Sequence, residues 1–234
     1  NNIAVKKVQM TTSFQLNLEG LEESIDPNTK IIWLCSPNNP SGNALYREDI
    51  EMVLNNFDGI VVIDEAYINF SRQRSFIPDL IDYPNLVILQ TLSKAWGLAA
   101  LRVGMAFAGA GIIDIMNKIK PPYNINEPSQ ELASQALDEV EQVNEMIKII
   151  VSERNRLAGE LKKIPIVEEI YPSDANFLLV RIKEARKVYE YLLGKGIVVR
   201  DRSTTPGCTD CLRITVGTPK ENEVLLSALN AHCG

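Results

Sequence analysis

A chain of 234 residues with 45% apolar and 23% charged side chains can bury a substantial core, and its length allows one or two domains. The net charge of −6 argues against a surface dedicated to nucleic acid, which needs clustered Lys and Arg. No apolar run approaches the roughly 20 residues of a membrane-spanning helix, and no signal-peptide pattern opens the chain, so a cytoplasmic protein acting on small molecules, not on nucleic acid or membrane, is expected.

The chain starts Asn1-Asn2-Ile3-Ala4-Val5, without an initiator Met and with the look of a strand, as if cut from a longer protein. Ile31–Cys35, Ile60–Asp64, Leu86–Thr91 and Val103–Phe107 are mostly apolar runs of strand length, the pattern of a parallel or mixed sheet covered on both faces. Between the first two, Tyr46–Asn55 places Ile50, Val53 and Leu54 on one helical face. Strands separated by helices imply crossover units and an α/β fold, here a three-layer αβα core with a mostly parallel sheet.

The pattern changes after Lys120, where Pro121-Pro122 cannot continue a helix. A helical pattern runs from near Pro128 to about Lys163. It is followed by strand-like Asn176–Ile182, a helix over Ala185–Gly194, and strands at Ile197–Arg200 and Cys211–Val216. Thr218-Pro219-Lys220-Glu221 is a capping box with Pro at the first helical position, and it opens a last helix. Residues 1–125 therefore read as part of a large domain, 126–163 as a connecting helical segment, and 164–234 as a smaller C-terminal α/β domain.

The four cysteines (Cys35, Cys208, Cys211, Cys233) are too few and too scattered for a disulfide framework. Cys208 and Cys211 form a lone Cys-x-x-Cys, and the single histidine, His232, sits beside Cys233. A structural zinc site wants four ligands, so reduced cysteines in and around a strand are the simpler reading and no metal is expected.

Three loop segments at strand ends carry the chemistry, where ligand sites of open α/β sheets concentrate. The first, Ser36-Pro37-Asn38-Asn39-Pro40-Ser41-Gly42, is ordinary turn punctuation by composition, or a stiffened loop that offers the Asn39 amide to a ligand. The second, Asp64-Glu65-Ala66-Tyr67, is either a helix start or a carboxylate placed to meet a buried cation, with Tyr67 as a hydrogen-bond donor. The third runs from Thr91-Leu92-Ser93-Lys94-Ala95-Trp96-Gly97 to Arg102. A lysine among small and apolar residues is poised for desolvation, which frees its amine as a nucleophile, and Arg102 offers a rigid fork for phosphate.

Asn-Pro-x-Gly, Asp-x-x-Tyr and Ser-Lys with an arginine eight residues on, in that order, resemble the aspartate-aminotransferase superfamily of pyridoxal-phosphate enzymes. Within it, the three segments resemble the histidinol-phosphate aminotransferase family, as do Lys120-Pro121-Pro122-Tyr123-Asn124-Ile125-Asn126 and Cys211-Leu212-Arg213-Ile214-Thr215-Val216-Gly217. The likeness covers essentially the whole chain.

That resemblance implies pyridoxal 5'-phosphate as cofactor and a homodimer as the full-length assembly. It implies that Lys94 links to the cofactor aldehyde and shuttles the substrate proton, and that Asp64 pairs with the pyridine nitrogen. Asn39 and Tyr67 would bond the ring hydroxyl, and Ser93 and Arg102, with Thr91 beside them, would hold the phosphate. Arg213 matches the family arginine that grips a substrate carboxylate, and Arg200 the one that meets the distal phosphate. Each is otherwise a cation at a strand end whose stem packs and whose head reaches water. Tyr123 and Asn124 would border the site.

The reaction implied is reversible amino transfer between glutamate and imidazole-acetol phosphate, giving 2-oxoglutarate and histidinol phosphate. Another enzyme of the superfamily, such as an aromatic aminotransferase or a threonine-phosphate decarboxylase, is the nearest alternative. A noncatalytic aminotransferase-like sensor domain is an alternative of a different class, and a remnant serving only as a folding unit is a third. Family members carry a further N-terminal part that supplies phosphate donors and an aromatic residue for the ring. The chain alone is therefore expected to be inactive, with an exposed sheet edge.

Overall fold

A computed structural model describes residues 3–233. Asn1 and Asn2, the first two of the five residues of the strand-like start, lie outside the described residues, and 3–11 form no regular element. The chain begins its regular structure with α1 (Leu18–Ser24), whose Asn17 side chain accepts a hydrogen bond from the Gly20 amide as an N-cap.

Four strands then build the first sheet in the order β1 (Ile31–Cys35), β2 (Ile60–Asp64), β3 (Leu86–Thr91), β4 (Gly104–Ala108). The first three are parallel, and β4 runs antiparallel to β3. α2 (Arg47–Asn56) makes the β1-to-β2 crossover and lays Ile50, Val53 and Leu54 against Ile32, Leu34, Val61, Ile63, Leu86 and Ile88. Cover on the opposite face is not complete: on the outer strand β1, Ile31 and Trp33 are 55% and 61% exposed. α3 (Ala110–Ile119) follows β4 and stops at Pro121, a ring that removes a backbone donor.

The helical region divides into α4 (Glu127–Leu137) and α5 (Val140–Leu161). A second sheet follows, ordered β5 (Val167–Ile170), β6 (Phe177–Ile182), β8 (Cys211–Thr215), β7 (Arg200–Asp201), all antiparallel. α5, α6 (Ala185–Gly194) and α7 (Pro219–Cys233) cover one face through Leu157, Leu161, Val188, Leu192, Leu225 and Leu229. α7 opens on the expected capping box: the Thr218 amide donates to Glu221 Oε2 (2.8 Å) and the Glu221 amide to Thr218 Oγ1 (3.3 Å). The strand read over Ile197–Arg200 shrinks to Arg200–Asp201, because pairing with β8 begins only where Arg200 meets Arg213.

The two sheets are joined at one seam. Tyr67 and Phe70, following β2, pack with Ala95, with Ala175 just before β6 and Phe177 in it, and with Ile147, Ile150 and Val151 of α5. Arg154 of α5, 4% exposed, donates through Nη1 to the Phe70 carbonyl (3.2 Å) and the Ala175 carbonyl (2.8 Å). Replacing it leaves two buried carbonyls unsatisfied. Arg154→Leu is therefore expected to lower unfolding free energy by about 1–3 kcal/mol in urea titrations, whereas Lys148→Ala, on the exposed face of the same helix, leaves the midpoint where it was.

Candidate active site

The carboxyl ends of β1, β2 and β3 and the seam place most of the chemical groups on one edge. Asp64 closes β2, in register with Cys35 of β1 and Leu89 of β3. Its backbone carbonyl accepts from the Ser36 amide (3.0 Å), and its Oδ1 accepts from the Ala66 amide (3.0 Å), which fixes the carboxylate at the strand end. The helix start considered for this segment is only the short 3-10 turn Ile68–Phe70. Glu65, buried, turns away and accepts from Ser75 Oγ, the Phe76 amide and Gln90 Nε2. The two adjacent acids thus divide the work: Glu65 anchors a loop, and Asp64 stays at the edge.

Tyr67 is 6% exposed, and its ring meets Phe177 edge-on with centroids 5.2 Å apart. Lys94 Nζ lies 5.3 Å from the centre of the same Tyr67 ring, within reach of its negative face. The lysine side chain is nonetheless exposed, which corrects the expected desolvation. Its apolar neighbours Leu92 and Ala95 point into the core, so the small residues around it pack elsewhere and do not cover the amine. Ser93 is tied to the strand end by the Thr91 hydroxyl, which donates to Ser93 Oγ (2.9 Å). Arg102 is exposed too, in a left-handed conformation with φ +57, and donates only to the Ala99 carbonyl (3.1 Å).

Asn39 stands in a loop held by its own backbone: the Asn38 amide donates to the Asn43 carbonyl and the Gly42 amide to the Asn38 carbonyl, both at 2.8 Å. Asn39 Oδ1 accepts from Arg213 Nη1 (2.8 Å). The Arg213 guanidinium also lies 4.9 Å over the Phe177 ring. Its Nε is buried with no hydrogen-bond partner, and burial pushes its pKa below the ordinary guanidinium range. Arg200, its cross-strand partner on β7, is exposed. A chain of contacts therefore runs Lys94–Tyr67–Phe177–Arg213–Asn39, one group from each of five segments.

Tyr123 is almost fully exposed, and neither it nor Asn124 bonds to these groups. Among the described residues no group of three or more His, Cys, Asp or Glu side chains gathers to hold a metal. His232 packs on Tyr191, 4.6 Å between ring centroids, and Cys208 and Cys211 are free and buried. Sequence reasoning did not find Phe177, Arg154 or Asp174, which shape the seam. Their only sequence signal is position in strand or helix, because an apolar residue and two ordinary charges carry no motif.

An amine, a carboxylate, a phenol, an amide and a guanidinium thus stand along one edge. Residues 1–229 match the family "Aminotransferase class I and II", and the chain belongs to that family. Within it, the chain is similar to curated histidinol-phosphate aminotransferases: it is 52% identical over 98% of its length to that of Parabacteroides distasonis, and it spans 66% of that relative. The crystal structure of the histidinol-phosphate aminotransferase from Clostridium acetobutylicum aligns with a TM-score of 0.87 and 27% identity, over 94% of this chain and 68% of that one. That from Sinorhizobium meliloti, solved in complex with pyridoxal-5'-phosphate, aligns at 0.81 and 27% identity, over 92% and 60%.

Cys35 gives a test of the carboxylate at the edge. Burial first, and then the Asp64 charge, push its thiol up to about 11, so thiolate is scarce near neutrality. At pH 8 iodoacetamide is expected to label exposed Cys233 well before Cys35. Asp64→Asn removes the negative charge that disfavours the thiolate, lowers the Cys35 pKa and speeds its labelling, read by peptide mass spectrometry. Unchanged labelling in that variant would place the Asp64 charge away from β1.

Proposed function

We propose that this chain is the cofactor-binding core and C-terminal part of an enzyme that moves an amino group between glutamate/2-oxoglutarate and imidazole-acetol phosphate/histidinol phosphate, in histidine biosynthesis. The observation that carries the proposal is the placement of Lys94 and Arg213 on either side of the Tyr67–Phe177 pair, at the strand end that bears Asp64. The likeness to the aminotransferases above supports the choice of reaction and substrates.

The donor set fits pyridoxal 5'-phosphate. Lys94 brings an amine for its aldehyde, Asp64 a carboxylate for its ring nitrogen, Asn39 and Tyr67 polar groups for its ring hydroxyl. Thr91, Ser93 and Arg102 bring hydroxyls and a guanidinium for its phosphate. Bound there, the cofactor supplies an electron sink that acidifies the carbon bearing the substrate amine. The protein does the rest. Asp64, fixed by the Ala66 amide, keeps a proton on the ring nitrogen by charge. Lys94 Nζ would take the proton from the substrate carbon that bears the amine and hold it for return, since an amine on a flexible stem can swing between positions. Arg213 grips the substrate carboxylate, for which it has unused donor capacity at its Nε, and the Asn39 amide oxygen holds the guanidinium in place. Arg200 faces the distal anionic group. The proposal extends to a cytoplasmic homodimer that takes small amino and oxo acids, not nucleic acid or membrane. Among the described residues no helix is long and apolar enough to cross a membrane.

In the full-length protein, Lys94→Ala is expected to abolish turnover of histidinol phosphate with 2-oxoglutarate and to remove the visible absorbance of the linked cofactor. Arg213→Ala is expected to lower kcat/KM by roughly 10- to 100-fold, the loss of one or two charge-assisted hydrogen bonds. Turnover at the parent rate in the lysine variant would overturn the assignment.

A further inference from the structure

Four arginines share one face of the second sheet. Arg181 is held by Glu169 and Tyr171, and the reaction above uses two of the other three. Arg200 is the register partner of Arg213 across β7 and β8. The ladder continues one step beyond β7, where the Arg202 amide donates to the Cys211 carbonyl (2.9 Å), so Arg202 stands opposite Cys211. Side chains two apart on a strand share a face, and Arg213 and Cys211 are two apart, as are Arg200 and Arg202. All four therefore point to the side that carries Phe177 and the Asn39 loop.

Among the described residues, no carboxylate pairs with Arg200, Arg202 or Arg213. Asp201 lies on the opposite face, toward α6, where it meets Arg186 at 3.5 Å. Glu169, across β5 and β6, is taken by Arg181 at 3.2 Å. Arg202 is half-buried, and its Nε is buried with no hydrogen-bond partner. The same is true of Arg213 Nε. Like charges side by side on a sheet destabilise it, and buried donors without partners cost further free energy. Both costs vanish when an anion enters. The charge of Arg202 also acts more strongly on the Arg213 guanidinium than that of Arg200 does, which places it within the same field.

We propose that Arg202 is a specificity-determining residue that acts with Arg200 and Arg213 to select a substrate carrying a dianionic phosphate monoester over one carrying only a carboxylate. The proposal rests on the function argued above and adds a residue to it. Two arginines balance a carboxylate pair such as that of glutamate. A third matches the extra charge that a phosphate monoester carries near neutrality.

The same chemistry occurs in the cofactor's own phosphate, so the test separates the two. Full-length Arg202→Gln and Arg202→Lys proteins are loaded with pyridoxal phosphate, and the KM for histidinol phosphate, the KM for glutamate and the cofactor Kd are measured. Inorganic phosphate is titrated calorimetrically in parallel. Arg202→Gln is expected to raise the KM for histidinol phosphate about 10-fold and that for glutamate about 3-fold, since interaction energy scales with ligand charge. It is also expected to weaken phosphate binding and to leave the cofactor Kd and the melting temperature unchanged, while Arg202→Lys recovers part of the loss. Equal changes for the two substrates, or none, would overturn the proposal, and a change confined to cofactor Kd would assign Arg202 to the cofactor instead. Failure of the unaltered protein to turn over histidinol phosphate would refute the parent function alone. The phosphate titration would then still decide whether Arg202 binds the anion.

Discussion

Arg154 sits where three parts of the chain meet, and its two hydrogen bonds are to carbonyls in the segments after β2 and before β6. A guanidinium removed from water is tolerated only when its donors are used. Burial pushes its pKa down and the Asp174 carboxylate partly opposes this. The two carbonyls, in turn, come from loops that would otherwise have no fixed spacing. The loop after β2 and the loop before β6 are held at one separation by a single side chain on α5, and the aromatic pair Tyr67–Phe177 fills the space between them.

The placement of the candidate site follows from that constraint. A parallel sheet delivers its chemical groups at the carboxyl ends of its strands. In this chain those ends supply Asp64, Tyr67 and Lys94 but not Arg200 or Arg213. The antiparallel sheet supplies the arginines, on the face its helices leave uncovered. Because the seam brings that face against the strand ends, Lys94 and Arg213 flank the same Tyr67–Phe177 pair. Neither sheet alone presents both halves.

Much of this was legible in the sequence wherever a periodicity or a turn residue reported it. The apolar runs at Ile31, Ile60 and Leu86 coincide with β1, β2 and β3, and the Thr218–Glu221 box marks the start of α7. Short or weakly patterned elements were not legible. α1 is seven residues with no buried side chain, and β5 alternates too few apolar residues to stand out. Along β7 only Arg200 and Asp201 pair as a strand, so the apolar run before them was misleading. Motifs singled out Asn39, Asp64, Tyr67, Ser93, Lys94 and Arg102, but motifs say nothing about cover. The exposure of Lys94 depends on what packs over the loop, which is a property of distant segments. Arg202 escaped for a related reason: its significance lies in the cross-strand register, and no linear pattern distinguishes it from a surface charge.

Gly42 carries a further consequence. Its φ of +89 suits glycine, and a methyl added there would come within 2.7 Å of Ser173 Oγ. Beside it, the Asp174 amide donates to the Gly42 carbonyl (2.7 Å), and Asp174 Oδ2 accepts from the Ala44 amide (3.0 Å). The turn bearing Asn39 is thus riveted to the strand connection of the other sheet, although it emerges from β1. Mechanically, Asn39 and Arg213 share one frame of reference. Any rocking of the second sheet carries the Asn39 amide along with the arginine, so the grip on the substrate's acid end and the touch on the ring oxygen would shift as one lever.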